Sequence, residues 1–474
     1  MSRALSFGAA LLSVSILLHT GAGRAGAAEV VVAAVPAAAV QAVGAAAATG
    51  ARVVIGQESA PLDSPWKFHL GDHPAWAAPD FDDSRWETVD LTPPPGARDN
   101  DVGLPGYVPG WQARGHAGYY GYAWYRLHLD VTAPAGEDLA IAGPFAVDSA
   151  YQLYANGRLL GAVGDFSGAV PAARSNHRPA LFILPPEMRA GSRIVVAIRV
   201  WLGLWPRAPD EGGIHIAPLI GTVRAITDRY RLQWLTLFEG YVVDGVEGSL
   251  LLLLALMALS VGIFDRGDRA YPWIAAACLF LGIHRGNQAV MFLGNFETMH
   301  EFEIFILVLA VPLYTGSWVM AWRSWLRLRD PGWVPKAIVM LTLGYILAVF
   351  VCRSWFRGVF PDFIFTAAPR VIAILRWGLL LLYAFTAYQG ARRKGREGWY
   401  ACVLMVVLAA GIFGGELHYF GTPGIWFPFG VGLSLSECAY AAFVPLMAAL
   451  LLRRLGPTRQ QSAVHGRPSP LPVR

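Results

Sequence analysis

Between Arg231 and Arg454 the chain alternates long apolar runs with short polar breaks. The runs predict seven helices, at residues 234–264, 271–293, 304–322, 334–351, 371–389, 399–420 and 427–452. Each is near or beyond the roughly 20 residues that a hydrocarbon core of about 30 Å requires. Backbone polar groups find no water in lipid, so segments of this kind cross it as helices. Ahead of them, residues 54–224 follow another rhythm. Apolar positions come in short runs, and 122–129 and 151–155 alternate at period two. Asn156-Gly157 sits between two such runs, a strong hairpin signal. Short strands with turn chemistry between them predict an antiparallel β-sandwich.

The ends differ again. Arg3, an apolar core over residues 4–18 and Ala25-Gly26-Ala27 predict a signal peptide at 1–27. Residues 28–53 are mostly alanine, valine and glycine, and predict a linker without a core. Residues 455–474 predict a disordered tail. The fold class expected is therefore multidomain, an extracytoplasmic β-sandwich of jelly-roll type followed by a seven-helix transmembrane bundle.

Charge adds orientation. Arg266 and Arg269 follow the first helix, and Arg323, Arg327, Arg329 and Lys336 lie between the third and fourth. Arg392, Arg393, Lys394 and Arg396 lie between the fifth and sixth, and Arg453, Arg454 and Arg459 follow the seventh. Loops rich in Lys and Arg stay in the cytoplasm, which puts the sandwich outside and the C-terminus inside. The net charge of +5 thus orients helices and gives no sign of nucleic-acid binding. A composition 55% hydrophobic and only 15% charged excludes a single soluble enzyme. The four cysteines, Cys278, Cys352, Cys402 and Cys438, all fall in or beside the helices, so the sandwich gains no disulfide.

Several motifs occur in one order: Trp66, Phe68, Gly71 and Asp72; Asp80, Asp82, Asp83 and Trp86; Trp124, Tyr125 and Arg126; Asp148, Tyr151, Asn156 and Gly157; then the β-branched run ending at Val200. Over most of residues 60–202 this pattern resembles the galactose-binding-like jelly roll that serves as the sugar-binding domain of family 2 glycoside hydrolases. With seven helices behind it, the chain resembles bacterial seven-transmembrane receptors with diverse intracellular signalling modules. In that class the helices usually lead into a diguanylate cyclase, kinase or phosphatase, and here only the short tail follows. The resemblance implies a bacterial inner-membrane receptor whose output comes from a separate cytoplasmic protein.

Candidate chemistry is sparse. A glycosidase needs two carboxylates across a bond, and the Asp80–Asp82–Asp83 cluster belongs to the resembled fold rather than to a catalytic barrel. His69 and His73 flank Asp72, but Gly71 and Pro74 oppose the helix that would put them on one face. No catalytic residue, metal site or cofactor is expected, and no enzyme activity. Lys67, Lys336 and Lys394 lie outside the spans, which excludes a retinal Schiff base. Trp111, Tyr119, Tyr120, Tyr122, Trp201 and Trp205 lie in or beside Gly/Pro-rich loops. They are the candidates for stacking on a sugar, or else rings that seal the sandwich or rest on lipid.

Ionisable residues inside spans are costly and mark function. They are Glu239, Asp244, Glu247, His284, Arg285, Arg376, Glu416, His418 and Glu437, with Arg370 just outside. Arg376 is expected to pair with Glu416 or Glu437. The function expected is a membrane sensor that binds a carbohydrate or other small ligand and signals through the helices. The alternatives are a membrane-anchored binding module without signalling, and a receptor that has lost its output domain.

Overall fold

The computed structural model describes residues 51–465 except 56–57, 100–102, 134–135, 173–176, 189–192, 204–209, 266, 294–301, 354–355, 357–358, 419–424 and 427–431. The signal-peptide reading lies outside the described residues, as does the linker up to residue 50. The linker's last residues are not a linker: Ala51–Val54 is a strand, β1, paired in parallel with 129–132.

The strands that follow are β2 (Ala60–Pro61), β3 (Trp66–Leu70), β4 (Glu87–Val89), β5 (Gly121–Thr132), β6 (Leu139–Ala142), β7 (Ala150–Ala155), β8 (Arg158–Val163), β9 (Leu181–Ile183), β10 (Arg193–Leu202) and β11 (Leu219–Thr222). One sheet runs β4-β3-β5-β10-β7-β8, with β1 also on β5, and a second runs β2-β11-β6-β9. Alternation decides the faces. Ala123, Tyr125, Leu127, Leu129 and Val131 of β5 point inward, with Val196, Ile198 and Val200 of β10 and Leu153 of β7. Leu139 and Ile141 of β6 and Ile220 of β11 close the same core from the second sheet. Asn156 and Gly157, with φ of 45° and 79°, turn the β7–β8 hairpin, where positive φ at both centres matches the strand twist.

The helical part begins without a break. Thr222 ends β11, and its hydroxyl accepts the Ala225 N–H at 3.3 Å as the N-cap of α1, Val223–Phe264. Then come α2 (Ala270–Leu293), a π-helical segment (Glu303–Ala310) running into α3 (Val311–Trp325), α4 (Val334–Val351), α5 (Asp362–Arg393), α6 (Gly395–Ile412), the short α7 (Gly414–His418) and α8 (Leu435–His465). Pro312 stands in the first turn of α3, where the π segment gives way to α.

Among the described residues, six helical spans are long and apolar enough to cross a membrane: Val223–Phe264, Ile304–Trp325, Val334–Val351, Phe363–Arg393, Gly395–Ile412 and Leu435–Arg453. The seventh expected span, α2, has 24 residues, but His284, Arg285, Asn287 and Gln288 interrupt its apolar run. Other boundaries also move. The first helix starts at Val223 instead of 234, and the fifth reaches from Asp362 to Arg393. The expected sixth helix stops at Ile412, and Gly414–His418 is a separate turn. The last starts at Leu435, behind the paired strands β12 (Ile425–Trp426) and β13 (Leu433–Ser434), and runs through much of the expected tail to His465.

Candidate functional site

The buried stripe of α1 carries the site. Leu237, Tyr241, Asp244, Gly248 and Leu251 recur at the spacing of one helix face, with Glu247 beside them. The stripe can approach α2 closely because glycines meet there. A Cβ on Gly248 would lie 2.5 Å from the Gly286 nitrogen and 3.0 Å from the Gly282 oxygen. This close approach sets Asp244 and Glu247 against Arg285 of α2, whose side chain is 7% exposed. Arg285 Nη2 pairs with Asp244, and its Nε donates to Glu247 Oε2 at 3.1 Å. From α8, Glu437 accepts from Arg285 Nη2 at 3.2 Å, and Tyr440 lies 5.6 Å from the guanidinium.

Glu437 is itself held by a capping box. Its carboxylate accepts the Ser434 N–H at 2.7 Å, while Ser434 Oγ accepts the Glu437 N–H at 3.2 Å. Three carboxylates from two helices thus surround one guanidinium, and Glu247 Oε1 makes no hydrogen bond.

Arg376 of α5 forms a second, separate centre. It makes a two-pronged pair with Glu416 of α7, by Nε to Oε1 and by Nη2 to Oε2 at 2.7 Å. Its Nη1 donates to the Tyr345 hydroxyl at 3.0 Å and its Nη2 to the Ile412 carbonyl at 3.1 Å. Of the two partners expected for Arg376, the structure pairs it with Glu416 and gives Glu437 to Arg285.

The remaining ionisable candidates fall outside both centres. Glu239 and Arg370 are exposed, and His284 stacks on Tyr314 with centroids 5.7 Å apart. The side chain of His418 lies outside the described residues. Gly411 and Gly415 have the four-residue spacing of a close helix contact; Gly411 does meet Tyr440 of α8, whereas nothing lies within 4 Å of a Cβ on Gly415. Sequence reasoning passed over the other such pair, Gly282 and Gly286, although the same four-residue spacing signals it.

In the sandwich the aromatic candidates divide. Trp111 is 1% exposed and belongs to the core, stacked under Gly212 and Gly213, so it faces no ligand. Tyr119 and Tyr120 pack on that core from its edge, and Tyr119 donates to the Tyr122 carbonyl at 2.8 Å. Tyr122 and Trp201 sit on the outer face of the larger sheet, paired across β5 and β10, with ring centroids 4.6 Å apart. Trp205 lies outside the described residues.

A row of polar and aromatic groups continues from that pair. Arg199 stacks 4.0 Å from the Tyr122 centroid and holds Asp72 with two bonds, 2.7 and 2.5 Å. Its Nη1 donates to Gln152 at 2.8 Å, and Trp124 Nε1 donates to Asp72 at 3.0 Å. Burial alone would raise the Asp72 carboxyl, but the bonds from Arg199 and Trp124 outweigh it and hold it low. Arg199 and Gln152 lack the loop signature that marked the other candidates; their signal is the outward positions of two adjacent strands, β10 and β7, while Asp72 lies in the turn after β3.

The same face is closed further along. Arg126 is wholly buried there, donating to Asp83 at 2.8 Å and to the carbonyls of Trp76 and Phe81. Asp83 also meets His128 at 2.9 Å, and Asp82 accepts the Ser84 N–H at 3.0 Å. Asp82 and Asp83 are therefore engaged in holding the segment that carries Trp76, Phe81 and Trp86.

No protein-family model matches the chain, and no curated protein does. Solved structures similar to part of it include family 2 glycoside hydrolases. Bacteroides uniformis β-glucuronidase 2 is 21% identical over 34% of this chain and 17% of that one, with a TM-score of 0.26. A family 2 glycosyl hydrolase from Bacteroides cellulosilyticus is 20% identical over 35% of this chain and 20% of that one, with a TM-score of 0.25. Bifidobacterium dentium β-glucuronidase is 17% identical over 32% and 22%, with a TM-score of 0.22.

Proposed function

We propose that this chain is a bacterial membrane sensor that acts by binding rather than by catalysis. Its sandwich, of jelly-roll type, takes up a carbohydrate or similar small ligand outside the cell. The helices, α2 included as a seventh crossing, carry the change to a separate cytoplasmic protein. This is the arrangement of the seven-transmembrane receptors that the sequence resembles. The basic residues after α3, around the α5–α6 junction, and beyond the apolar part of α8 support a cytoplasmic C-terminus.

The observation that carries the reading is the unbroken passage from β11 into α1. At about 1.5 Å per residue, α1 is roughly 60 Å long, about twice a hydrocarbon core. Its upper part meets the sandwich, where Leu237 and Tyr241 pack with Leu104 and Phe145. One turn further the same stripe carries Asp244 and Glu247. A strand displaced by ligand therefore has a rigid lever into the Arg285 centre. The ligand face is the open part of the outer sheet. Tyr122 and Trp201 offer ring faces, and Asp72, Arg199 and Gln152 offer planar polar groups suited to hydroxyls. Asp72 already balances the charge of Arg199, which favours a neutral sugar over an acidic one.

The test uses full-length protein in detergent, a panel of neutral hexoses, hexuronic acids and their disaccharides, and hydrogen exchange. A bound neutral sugar should change exchange within Leu435–Arg453. Two glycines inserted between Thr222 and Val223 should leave binding intact and abolish that change. A change that survives the insertion removes the lever. Binding with no change at all in either protein leaves an anchored binding module.

A further inference from the structure

We propose that His215 is a proton-operated latch at the joint between sandwich and bundle, closed while its ring carries both protons and opened by rising pH. The ring is 3% exposed. Its Nδ1 lies 2.8 Å from the Val108 carbonyl oxygen and its Nε2 lies 2.7 Å from Asp148 Oδ2. Both neighbours are acceptors, and a neutral imidazole has only one N–H to give. With Asp148 ionised, satisfying both requires the imidazolium. The same Asp148 oxygen accepts the Gly212 N–H at 2.6 Å, which favours the ionised carboxylate beside it.

The surroundings keep the pair charged. Burial alone would lower His215, but the Asp148 charge and hydrogen bond, with the Val108 carbonyl, outweigh it and raise the ring above its ordinary value. Burial alone would raise Asp148, but His215 and the Gly212 N–H outweigh it, with help from His177, and hold it low. The Tyr107 ring lies parallel to His215 at 4.8 Å and donates its hydroxyl to Asp210 at 2.9 Å. Asp210 adds negative potential on that side. Glu211, buried in the 210–216 segment, and Tyr125 of β5, which feels the Asp148 charge, are the other titratable groups near the latch among the described residues.

The latch ties those segments together where they meet the helices. His215 N–H donates to Ala146 at 2.9 Å, Val108 N–H donates to His215 at 2.8 Å, and Val147 bridges Ile214. Leu104 and Phe145, with Ile216 beside them, pack on Leu237 and Tyr241 of α1 and on Phe292 of α2. Tyr241 and Phe292 stack at 4.2 Å. Removing the proton sets a ring lone pair against an oxygen lone pair inside this joint. The imidazole's folded value is raised, so its contribution is complete below the unfolded value of about 6.5 and is lost as pH rises through the folded value. The carboxyl's folded value is lowered, so its contribution is lost only as pH falls through that lower value. The joint is thus held in a window, and the alkaline edge belongs to His215. This input is independent of any sugar.

The test is hydrogen exchange on the full-length wild-type protein from about pH 6 to about pH 9, corrected for base catalysis. Segments 104–111 and 210–216 should lose protection about tenfold per pH unit beyond the folded value of His215. The centre of β10 should not. His215→Gln, which can donate to one acceptor and cannot titrate, should make those segments independent of pH. Constant protection of both segments in the wild type overturns the latch. So does a loss shared equally by β10, because that is global unfolding. The wild-type series decides even if the variant does not fold.

Discussion

Arg126 in the sandwich and Arg285 in the bundle are both nearly inaccessible, at 0% and 6% exposed, and their surroundings are opposites. Arg126 meets one carboxylate, and its other donors go to neutral backbone carbonyls, with the rings of Phe81 and Trp86 within 6 Å of the guanidinium at 5.6 and 5.9 Å. One charge is balanced by one charge, and dipoles complete the shell. Arg285 meets three carboxylates, two of them from the same helix. A centre built only to tie α1 and α8 to α2 would need one acid from each, and α1 supplies two. In a low-dielectric medium an excess of charge is costly, so the surplus acid should show in stability.

The largest expected effect breaks that contrast directly. Arg126→Leu leaves one acid without its partner, and Arg285→Leu leaves three. Breaking one buried pair costs about 3–5 kcal/mol, so Arg285→Leu should cost at least that and more than Arg126→Leu. The double variants separate the two centres further. Arg126→Leu with Asp83→Leu should recover most of the loss. Arg285→Leu with Glu247→Leu should not, because Asp244 and Glu437 still face each other. Thermal unfolding of the full chain in detergent reads all four. Equal recovery in the two doubles would mean that the acid excess has no energetic weight.

A smaller effect belongs to Arg376 and Glu416, which stand between the two extremes. The pair is balanced one to one, like Arg126 and Asp83, but it lies in the bundle. Arg376→Leu should cost toward the lower end of about 3–5 kcal/mol, since its side chain is 17% exposed. Adding Glu416→Leu should restore most of that, and adding Glu437→Leu instead should restore none. Rescue by the Glu437 substitution would contradict the division of acids between the two arginines.

How much of this was legible in the sequence follows from what each signal measures. Period-two alternation reports a half-buried sheet, so a β region followed by a helical one could be read directly, as could the Asn156-Gly157 hairpin. Hydropathy reports contact with lipid. It therefore missed the first eleven residues of α1, where Arg224, Asp228, Arg229 and Arg231 are helical but too polar for hydrocarbon. The same signal wrote α2 as a plain span although its polar centre is what binds three acids. Residues 51–53 looked like linker because alanine and valine in a biased stretch carry no pattern. Partner choice needs the rotation of each helix. For α1 that rotation was available, since Tyr241, Asp244, Gly248 and Leu251 share a face that Glu239 does not. For Glu416 and Glu437 it was not, because the chain between them turns through α7 and β13, and no periodicity survives such turns.

The smallest effect on stability is expected where the sequence pointed to ligand and the structure leaves rings on the outer sheet. Trp111 and Trp201 were equivalent in the sequence, both tryptophans beside glycine and proline. Their environments now differ, one in the core under Gly212 and the other against Tyr122 on the outer face. Trp111→Ala removes a fully buried ring and should cost about 3–5 kcal/mol. Trp201→Ala removes a half-exposed one, and surface changes of that kind stay near about 0.5 kcal/mol, rising toward 1 here through lost contact with Tyr122. If neutral sugars bind at the Tyr122–Trp201 face, affinity follows the reverse order. Trp201→Ala and Tyr122→Ala should each weaken binding by about tenfold or more while leaving the melting temperature nearly unchanged. Titration of the full-length variants with the tightest sugar from the panel measures this beside the melting curve. Binding that survives both substitutions moves the ligand elsewhere on the sandwich. Binding lost only together with stability returns the two rings to a purely structural role.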